Sequence, residues 1–189
     1  MRFMRVLLTA LLVTGSACGG NSTSPSVTNT LTVMLRDSPF SDAKALLVTF
    51  STVSVHLSGG SFVTVPLSGG ATTRTCDLKK LTSAQDLLGT GALAAGHYTQ
   101  IRLVVASATV YFDNASSGTT ACAASLSAPA GRSAPVVIPS GEVLLNREFD
   151  LTSSITTTLA LDFDGDQSVK DTGNGTYMMT PVVAVVSVQ

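Results

Sequence analysis

Three aspartates near the C-terminus have the spacing of ligands for a hard cation. Asp162, Asp164 and Asp166 alternate with other residues in the run LDFDGDQ, as the oxygen ligands at positions one, three and five of a calcium loop do. The pattern then departs from such a loop, because Gln167 stands in place of its glycine and Gly173 in place of its final glutamate. Two interpretations stay open: a calcium site, or an acidic cluster that faces solvent and caps a turn.

The two histidines are the other side chains suited to acid–base chemistry. His56 ends one apolar stretch and His97 begins another, and either imidazole can act as a general base beside a carboxylate. The motifs that often accompany such a base, G-x-S-x-G, H-E-x-x-H and the P-loop, are absent from the sequence. We therefore expect a protein that is not an enzyme, and the alternative is a hydrolase whose site is invisible in the sequence.

The first 17 residues predict an export signal. Two arginines precede an apolar run at positions 6–13, which is too short to span a bilayer, and small residues precede Cys18. The segment resembles a bacterial lipoprotein signal, in which this cysteine receives the lipid and becomes the first residue of the mature chain. An ordinary signal peptide cut near Ala17 is the alternative. The residue after this cysteine is Gly19 and not Asp, which resembles the lipoproteins sorted to the outer membrane, so we expect an outer-membrane lipoprotein facing the periplasm or the cell surface.

The remaining cysteines, Cys76 and Cys122, form an even pair in an exported domain. In an oxidising compartment such a pair predicts a disulfide, and two free thiols are the alternative. Zinc is not expected, because no Cys-x-x-Cys motif is present and the chain has only two histidines. Apart from calcium at the aspartates, the sequence therefore predicts no cofactor.

The composition predicts an all-β protein without a nucleic-acid partner. Serine and threonine together number 48 of the 189 residues, while charged residues make up only 12%. Threonine and valine favour strands, and hydroxyl groups satisfy a solvated sheet face without adding charge. The net charge of -1 and the lack of a basic cluster argue against nucleic-acid binding. The absence of tryptophan leaves few stacking platforms for sugars.

The chain divides into the signal, a tether and one domain. Residues 18–30 carry the lipidated cysteine and a polar stretch that predicts a flexible tether. Residues 31–189 predict an antiparallel β-sandwich, Ig-like or transthyretin-like, with at most one short helix. That helix is expected at residues 83–88, with Gly89 as its C-terminal stop.

Two long stretches predict the main strands. In residues 44–57 the apolar positions change parity, with Phe50 on one side and Val53 on the other, which predicts a bulge near position 51 or 52. Residues 61–66 are expected to return as the hairpin partner. Residues 97–112 predict the longest strand, buried on both faces over 101–106.

The C-terminal region predicts a strand, a reversal and a second strand. Apolar residues alternate from Ile155 to Phe163, and the residues Thr172-Gly173-Asn174-Gly175 tolerate positive φ. Residues 177–188 are expected to form one long returning strand. Pro181 lacks an N–H, so it should lie at an edge, a bulge or a strand start.

Five segments resemble, in the right order, the signatures of the bacterial lipoprotein family called domain of unknown function 4382. They are LTVMLRDSPFSDAKALLVTFSTVSVH, AGHYTQIRLVV, VVIPSGEV, LALDFDGDQSV and GNGTYMMTPVV, and they cover nearly all of residues 31–186. Asp166 and the cysteine pair are additions to the family pattern. The resemblance implies an extracytoplasmic β-sandwich on a lipoprotein anchor, and it brings no catalytic residues.

We therefore expect a lipid-anchored binding or structural module of the cell envelope. Its partners would be the membrane, through the anchor, and a glycan, a peptide or another envelope protein bound on the polar loops. An assembly component that accepts a partner strand at an exposed sheet edge is the other alternative. A pocket with convergent acidic or histidine side chains would instead favour the hydrolase.

Overall fold

The computed structural model describes residues 28–38, 43–82 and 84–189, together with their side chains except those at 28, 38, 166 and 186. The predicted signal, the lipidated Cys18 and the tether up to residue 27 lie outside the described residues. Thirteen strands are described: β1 (Thr28–Ser38), β2 (Ala45–Leu57), β3 (Phe62–Val65), β4 (Arg74–Asp77), β5 (Asp86–Ala94), β6 (Gly96–Tyr111), β7 (Cys122–Ala123), β8 (Ser133–Val137), β9 (Glu142–Leu151), β10 (Thr156–Asp164), β11 (Val169–Asp171), β12 (Tyr177–Met179) and β13 (Val183–Val188).

The strands form two sheets that share one core, as the all-β sandwich prediction requires. The smaller sheet has the order β13-β10-β1-β5, and the larger has the order β11-β12-β8-β6-β2-β4-β7, with β3 added to β2 and β9 added to β6. The inner faces supply buried residues at alternate positions, such as Leu31, Val33 and Leu35 of β1. Leu159 of β10 and Ile101 of β6 are fully buried in the same core, so both sheets contribute to it.

The sheets are mixed, so the expectation of antiparallel pairing throughout was wrong at two places. β1 pairs with β10 in parallel, and β8 pairs with β12 in parallel; the other strand pairings described are antiparallel. A parallel pair needs a long crossover connection. Strands β2 to β9 lie between β1 and β10 along the chain. The alternation of apolar and polar residues within a strand does not indicate which distant strand it pairs with.

The predicted bulge in β2 is confirmed. The register of β2 against β6 shifts between Thr49 and Phe50 and again between Phe50 and Thr52. Phe50 and Val53 are consequently both buried in the same core, although their sequence parity differs. The hairpin from β2 to β3 also forms as expected, and it brings Phe62 opposite His56.

The helix expected at residues 83–88 is not formed in its described part, residues 84–88. A 3-10 helix occupies Leu78–Thr82, and β5 begins at Asp86. Gly89 is not a helix stop: a Cβ on it would lie 2.8 Å from the Pro66 carbonyl oxygen. This glycine is needed for the close approach of two backbones, which a local pattern does not distinguish from a C-cap.

The C-terminal region differs from the single returning strand that was expected. A four-residue helix, α1 (Gly165–Ser168), follows β10, and residues 177–188 form β12 and β13, which belong to different sheets. Pro181 lies in the gap between them, where its missing N–H breaks no ladder. The predicted turn is confirmed, since Gly173, Asn174 and Gly175 all have positive φ.

The first strand starts earlier than predicted, because β1 includes the last three residues that were assigned to the tether. Asn29 is buried, and its Oδ1 accepts a hydrogen bond from the N–H of Ser154 at 2.8 Å. This hydrogen bond offsets part of the cost of burying a polar side chain in the sheet. Among the described residues, no helix has the length and apolar character needed to cross a membrane.

Candidate binding face

The outer face of the larger sheet has a covered half and an open half. In the covered half, Ala45, Leu47 and Tyr111 pack against Leu126 from the long excursion between β6 and β8. In the open half, β3, β2, β6 and β9 lie side by side, and their outward side chains are exposed or half-buried except that of Ser54. The expectation that residues 101–106 are buried on both faces was wrong, because the side chains at positions 102 and 104 are only half-buried on this side.

Eight side chains of the open half form two rows across the four strands, and we call this set the outer patch. The strand register aligns Thr64, Ser54, Arg102 and Leu144 in one row, and Phe62, His56, Gln100 and Asn146 in the next. The intervening residues Val55 and Ile101 are fully buried in the core. The period of two therefore places all eight side chains on the open side.

Arg102 is fixed at the centre of the outer patch. Its guanidinium carbon lies 4.0 Å from the centroid of the Phe62 ring, and its Nε donates a hydrogen bond to Ser54 Oγ at 3.3 Å. Ser54 is only 1% exposed. The aromatic face attracts the cation, and the hydroxyl orients it, so the guanidinium is held in one position with its two Nη groups directed elsewhere.

The second row of the outer patch is joined by polar contacts. The Nδ1 of His56 lies 3.1 Å from the Oγ1 of Thr99, and the histidine ring meets the Phe62 ring edge-on at 5.0 Å. Gln100 donates from Nε2 to the Oδ1 of Asn146 at 2.8 Å. This pairing leaves an amide oxygen on Gln100 and an amide nitrogen on Asn146 for a ligand.

His97 lies further along the same strand, at the start of β6. Its Nδ1 is 2.9 Å from Asp150 Oδ1, and its Nε2 is 4.0 Å from Glu148 Oε2. A hydroxyl group and a carboxylate therefore contact different histidines: the hydroxyl of Thr99 contacts His56, and the carboxylate of Asp150 contacts His97. Within the described residues, the three parts of a nucleophile–base–carboxylate relay are not brought together on either histidine.

The three aspartates predicted as cation ligands have separate surroundings. Asp162 Oδ2 accepts from Arg36 at 2.9 Å, and Asp164 caps α1 by accepting from the N–H of Gln167 at 3.0 Å. The side chain of Asp166 is outside the described part of the chain. Among the side chains that are described, no group of three His, Cys, Asp or Glu residues is arranged to hold a metal ion. The calcium site remains a prediction, and the capping interpretation matches Asp164.

A fourth carboxyl group nearby, Asp37, was not singled out by the sequence. It is 5% exposed, and its Oδ1 accepts from the N–H of Gly165 at 3.1 Å, while its Oδ2 has no partner among the described residues. Burial raises the pKa of this carboxyl from 3.8 to about 8, and the charges of Asp162 and Asp164 act in the same direction. Asp37 pairs in register with Phe163, so it points into the core face, opposite to Asp162.

The predicted cysteine pair is joined: Cys76 of β4 and Cys122 of β7 form a disulfide. The bridge fastens the excursion of residues 112–132 to the sheet. Buried Asp77 supports the same region, because Ser116 donates to its Oδ2 and the N–H of Leu46 donates to its Oδ1. These contacts give the excursion a fixed position over the covered half of the outer face.

Lys80 holds the tip of the same excursion. Its Nζ donates to the carbonyl oxygens of Ser117 and Gly118, each at 2.9 Å, and lies 3.4 Å from that of Thr120. An ammonium group has three donors, so these contacts use its full capacity. The excursion is therefore fastened by a covalent bridge, a buried carboxylate and a lysine.

A groove separates the neighbouring edges of the two sheets. In the described structure β9 pairs only with β6 and β13 pairs only with β10, so each presents one unpaired edge. The groove between them has a volume of about 390 Å³ and is lined by residues 144–147 and 183–185. We call it the seam. Unpaired backbone groups at such an edge are able to accept a further strand.

Sequence reasoning missed the outer patch because its members are far apart along the chain. A weak signal was present, since Arg102 interrupts an apolar run and Phe62 begins a short strand after a two-glycine turn. Only the register of the hairpin and of β6 shows that these two side chains meet.

The comparisons with known proteins identify a family without a known activity. The family model described as "Domain of unknown function (DUF4382)" matches residues 28–181, which are 154 of the 189 residues. No curated protein matches the chain, and no solved structure matches it. The matched region begins at β1 and ends at the proline before β13, so it includes every residue of the outer patch.

Proposed function

Because this chain belongs to the family described as Domain of unknown function (DUF4382), to which no reaction is assigned, we propose that it is a binding module of the cell envelope and not an enzyme. In this proposal Cys18 carries the lipid that attaches the protein to the outer membrane, and residues 19–27 connect the anchor to the sandwich. The domain then presents a ligand-binding surface to the periplasm or the cell exterior.

The observation that carries the proposal is the outer patch. Its side chains offer a fixed guanidinium, amide groups and hydroxyl groups on an open surface, without the convergent nucleophile, base and carboxylate that a hydrolase needs. Side chains held in place before a ligand arrives lose less conformational entropy on binding. The patch therefore suits recognition better than it suits bond cleavage.

Lipid attachment is tested by the Cys18→Ala variant. We expect this variant to appear in the soluble fraction of the envelope, because a multiply acylated cysteine gains about 0.8 kcal/mol per buried methylene and the variant gains none. Fractionation with immunoblotting measures the distribution, and Cys76→Ala provides a cysteine control that should stay with the membrane. Continued membrane association of Cys18→Ala would contradict the anchor.

A strand-accepting assembly component is the second candidate function, and the seam favours it. A partner strand inserted there would pair with β9, with β13 or with both, as in known cases of strand addition. Leu144 is 47% exposed beside the seam, so a partner would also cover apolar surface. This candidate uses a different surface from the outer patch, and only Leu144 and Asn146 belong to both.

Photocrosslinking in the anchored, full-length protein distinguishes the two candidates. A benzoyl-phenylalanine is introduced in place of Thr64 in the outer patch, of Ala184 in the seam, or of Ser153 in an exposed loop as the control. We expect illumination of intact cells to give an adduct at position 64, read as reduced electrophoretic mobility. Adducts at 184 alone would support strand addition, and no adduct above the level at 153 would contradict both functions.

A further inference from the structure

Arg102 differs from the other half-buried arginine of the described domain, Arg74, in having no carboxylate partner. Arg74 is paired with Asp86, whereas no carboxylate of the described residues lies within ion-pairing distance of Arg102. Two of the more exposed arginines, at positions 36 and 132, are also paired with aspartates. Glu142, the next acidic residue along this face of β9, makes no ion pair with Arg102 either.

Arg102 is only half-buried, and its guanidinium keeps access to solvent and therefore to a ligand. The contacts with Phe62 and Ser54 fix its stem and Nε but satisfy neither Nη group. Arg102 is also the only one of the eight outer-patch residues that carries a permanent charge. The patch is therefore electrostatically complementary to an anion, and a planar two-donor fork matches a carboxylate.

The neighbours of Arg102 indicate what carries that carboxylate. A ligand on the face of a sheet can bond only to side chains, since the backbone groups of β2 and β6 are already used in the ladder. The side chains beside Arg102 are the amides of Gln100 and Asn146 and the hydroxyl of Thr64, and the surface is open. Such groups match sugar hydroxyls. A protein partner would require a larger apolar centre than Leu144 supplies, since the other apolar side chain of the patch, Phe62, has the guanidinium of Arg102 over its ring.

We infer that the outer patch binds an acidic polysaccharide, with Arg102 receiving the carboxylate of a uronic acid residue and the amides of Gln100 and Asn146 receiving neighbouring hydroxyls. This inference rests on the proposed binding function and specifies its ligand. The sugar lies across the strands along the two rows of the patch. Arg102 supplies specificity for the charged sugar, because the Nη groups of its fork have no acceptor in the described structure.

The test uses the full-length protein in detergent and polygalacturonate as the probe, with calorimetry or biolayer interferometry as the measurement. We expect the protein to bind polygalacturonate and not the fully methyl-esterified polymer, which has the same backbone without the charge. Arg102→Gln should weaken binding roughly 10- to 100-fold, the range expected for a charge-assisted bidentate contact. The control variant Arg132→Gln removes an exposed arginine outside both the outer patch and the seam, and it should change binding by less than about twofold.

A second variant separates binding from a merely structural role of Arg102. Arg102→Lys keeps a positive charge and an apolar stem but lacks the planar fork, so binding should be intermediate while thermal melting stays close to that of the parent. Carboxylate recognition by the fork would be contradicted if Arg102→Gln lost binding only because the variant is unfolded at the temperature of the assay. It would also be contradicted if Arg102→Lys bound as tightly as the parent.

The outcomes also separate this inference from the proposed function. If polygalacturonate does not bind, or if poly-L-glutamate binds equally well, the acidic-polysaccharide assignment is overturned. A crosslinked adduct at position 64 in cells would then still support a binding module with another ligand. Binding of the esterified polymer with unchanged affinity would likewise overturn the role assigned to Arg102.

Discussion

Removing the disulfide is expected to lower the free energy of unfolding by about 4 kcal/mol, because the bridge closes a loop of some 46 residues in the unfolded chain. For a domain of this size the melting temperature should fall by about 8–16 °C. The change to make is the double substitution Cys76→Ala and Cys122→Ala, and the measurement is urea and thermal unfolding of the full-length protein. Loss of the bridge also frees the excursion from its only covalent cross-link within the described residues.

The matched comparison for the disulfide is the parent protein unfolded with and without reductant. The reduced parent should approach the double alanine variant, and the variant itself should not respond to reductant. Because Asp77 and Lys80 also hold the excursion, we expect the variant to remain folded and to show faster amide exchange mainly in residues 112–132. Identical unfolding curves for parent and variant would contradict the stabilising role of the bridge.

Asp37→Asn is expected to stabilise the domain increasingly as the pH rises from about 4 to about 8. The folded-state pKa of Asp37 is about 8, above the ordinary value of 3.8, so the folded protein keeps a proton that the unfolded chain releases. Rising pH therefore favours the unfolded state across this window. At 1.36 kcal/mol for each pH unit, the free energy of unfolding of the parent is lower by about 4 kcal/mol at pH 7 than at pH 4. Asparagine has no proton to release, and its Oδ1 can still accept from Gly165.

Urea unfolding at pH 4, 6 and 8 measures this effect. Parent and Asp37→Asn should be similar at pH 4 and diverge above it, with the difference constant beyond pH 8. Asp113→Asn is the control, because hydrogen bonds from Arg132 lower the pKa of the Asp113 carboxyl. The stability from Asp113 is present above its unfolded pKa and is lost as the pH falls, so the sign is opposite. Parallel pH profiles for parent and Asp37→Asn would contradict the buried neutral carboxyl.

Local patterns predicted the features of this fold that depend on nearby residues. The parity change between Phe50 and Val53 required a bulge, and a bulge is present, because both side chains have to reach one core. The positive φ values at Gly173 and Asn174 followed from residue type in the same way. The cysteine pair was predicted from number and compartment, and the two cysteines are joined.

The features that were missed depend on residues far apart in the chain. Gly89 was interpreted as a helix stop, although its true constraint is the Pro66 backbone that lies against it. The parallel pairing of β1 with β10 and the separation of β12 from β13 depend on the arrangement of whole sheets. The outer patch was missed for the same reason, since Phe62, Arg102 and Asn146 come from three strands.

The parallel contact of β1 with β10 has a consequence for the way the chain reaches its native state. Leu31 is aligned with Thr157, so the first strand pairs with a partner that lies 126 positions later. Pairings of such long range are slow to form, because the entropy of closing the intervening loop is lost before the contacts form. During synthesis from the N-terminus, β1 can pair first with β5, and the smaller sheet can be completed only after β10 and β13 have been made, near the end of the chain.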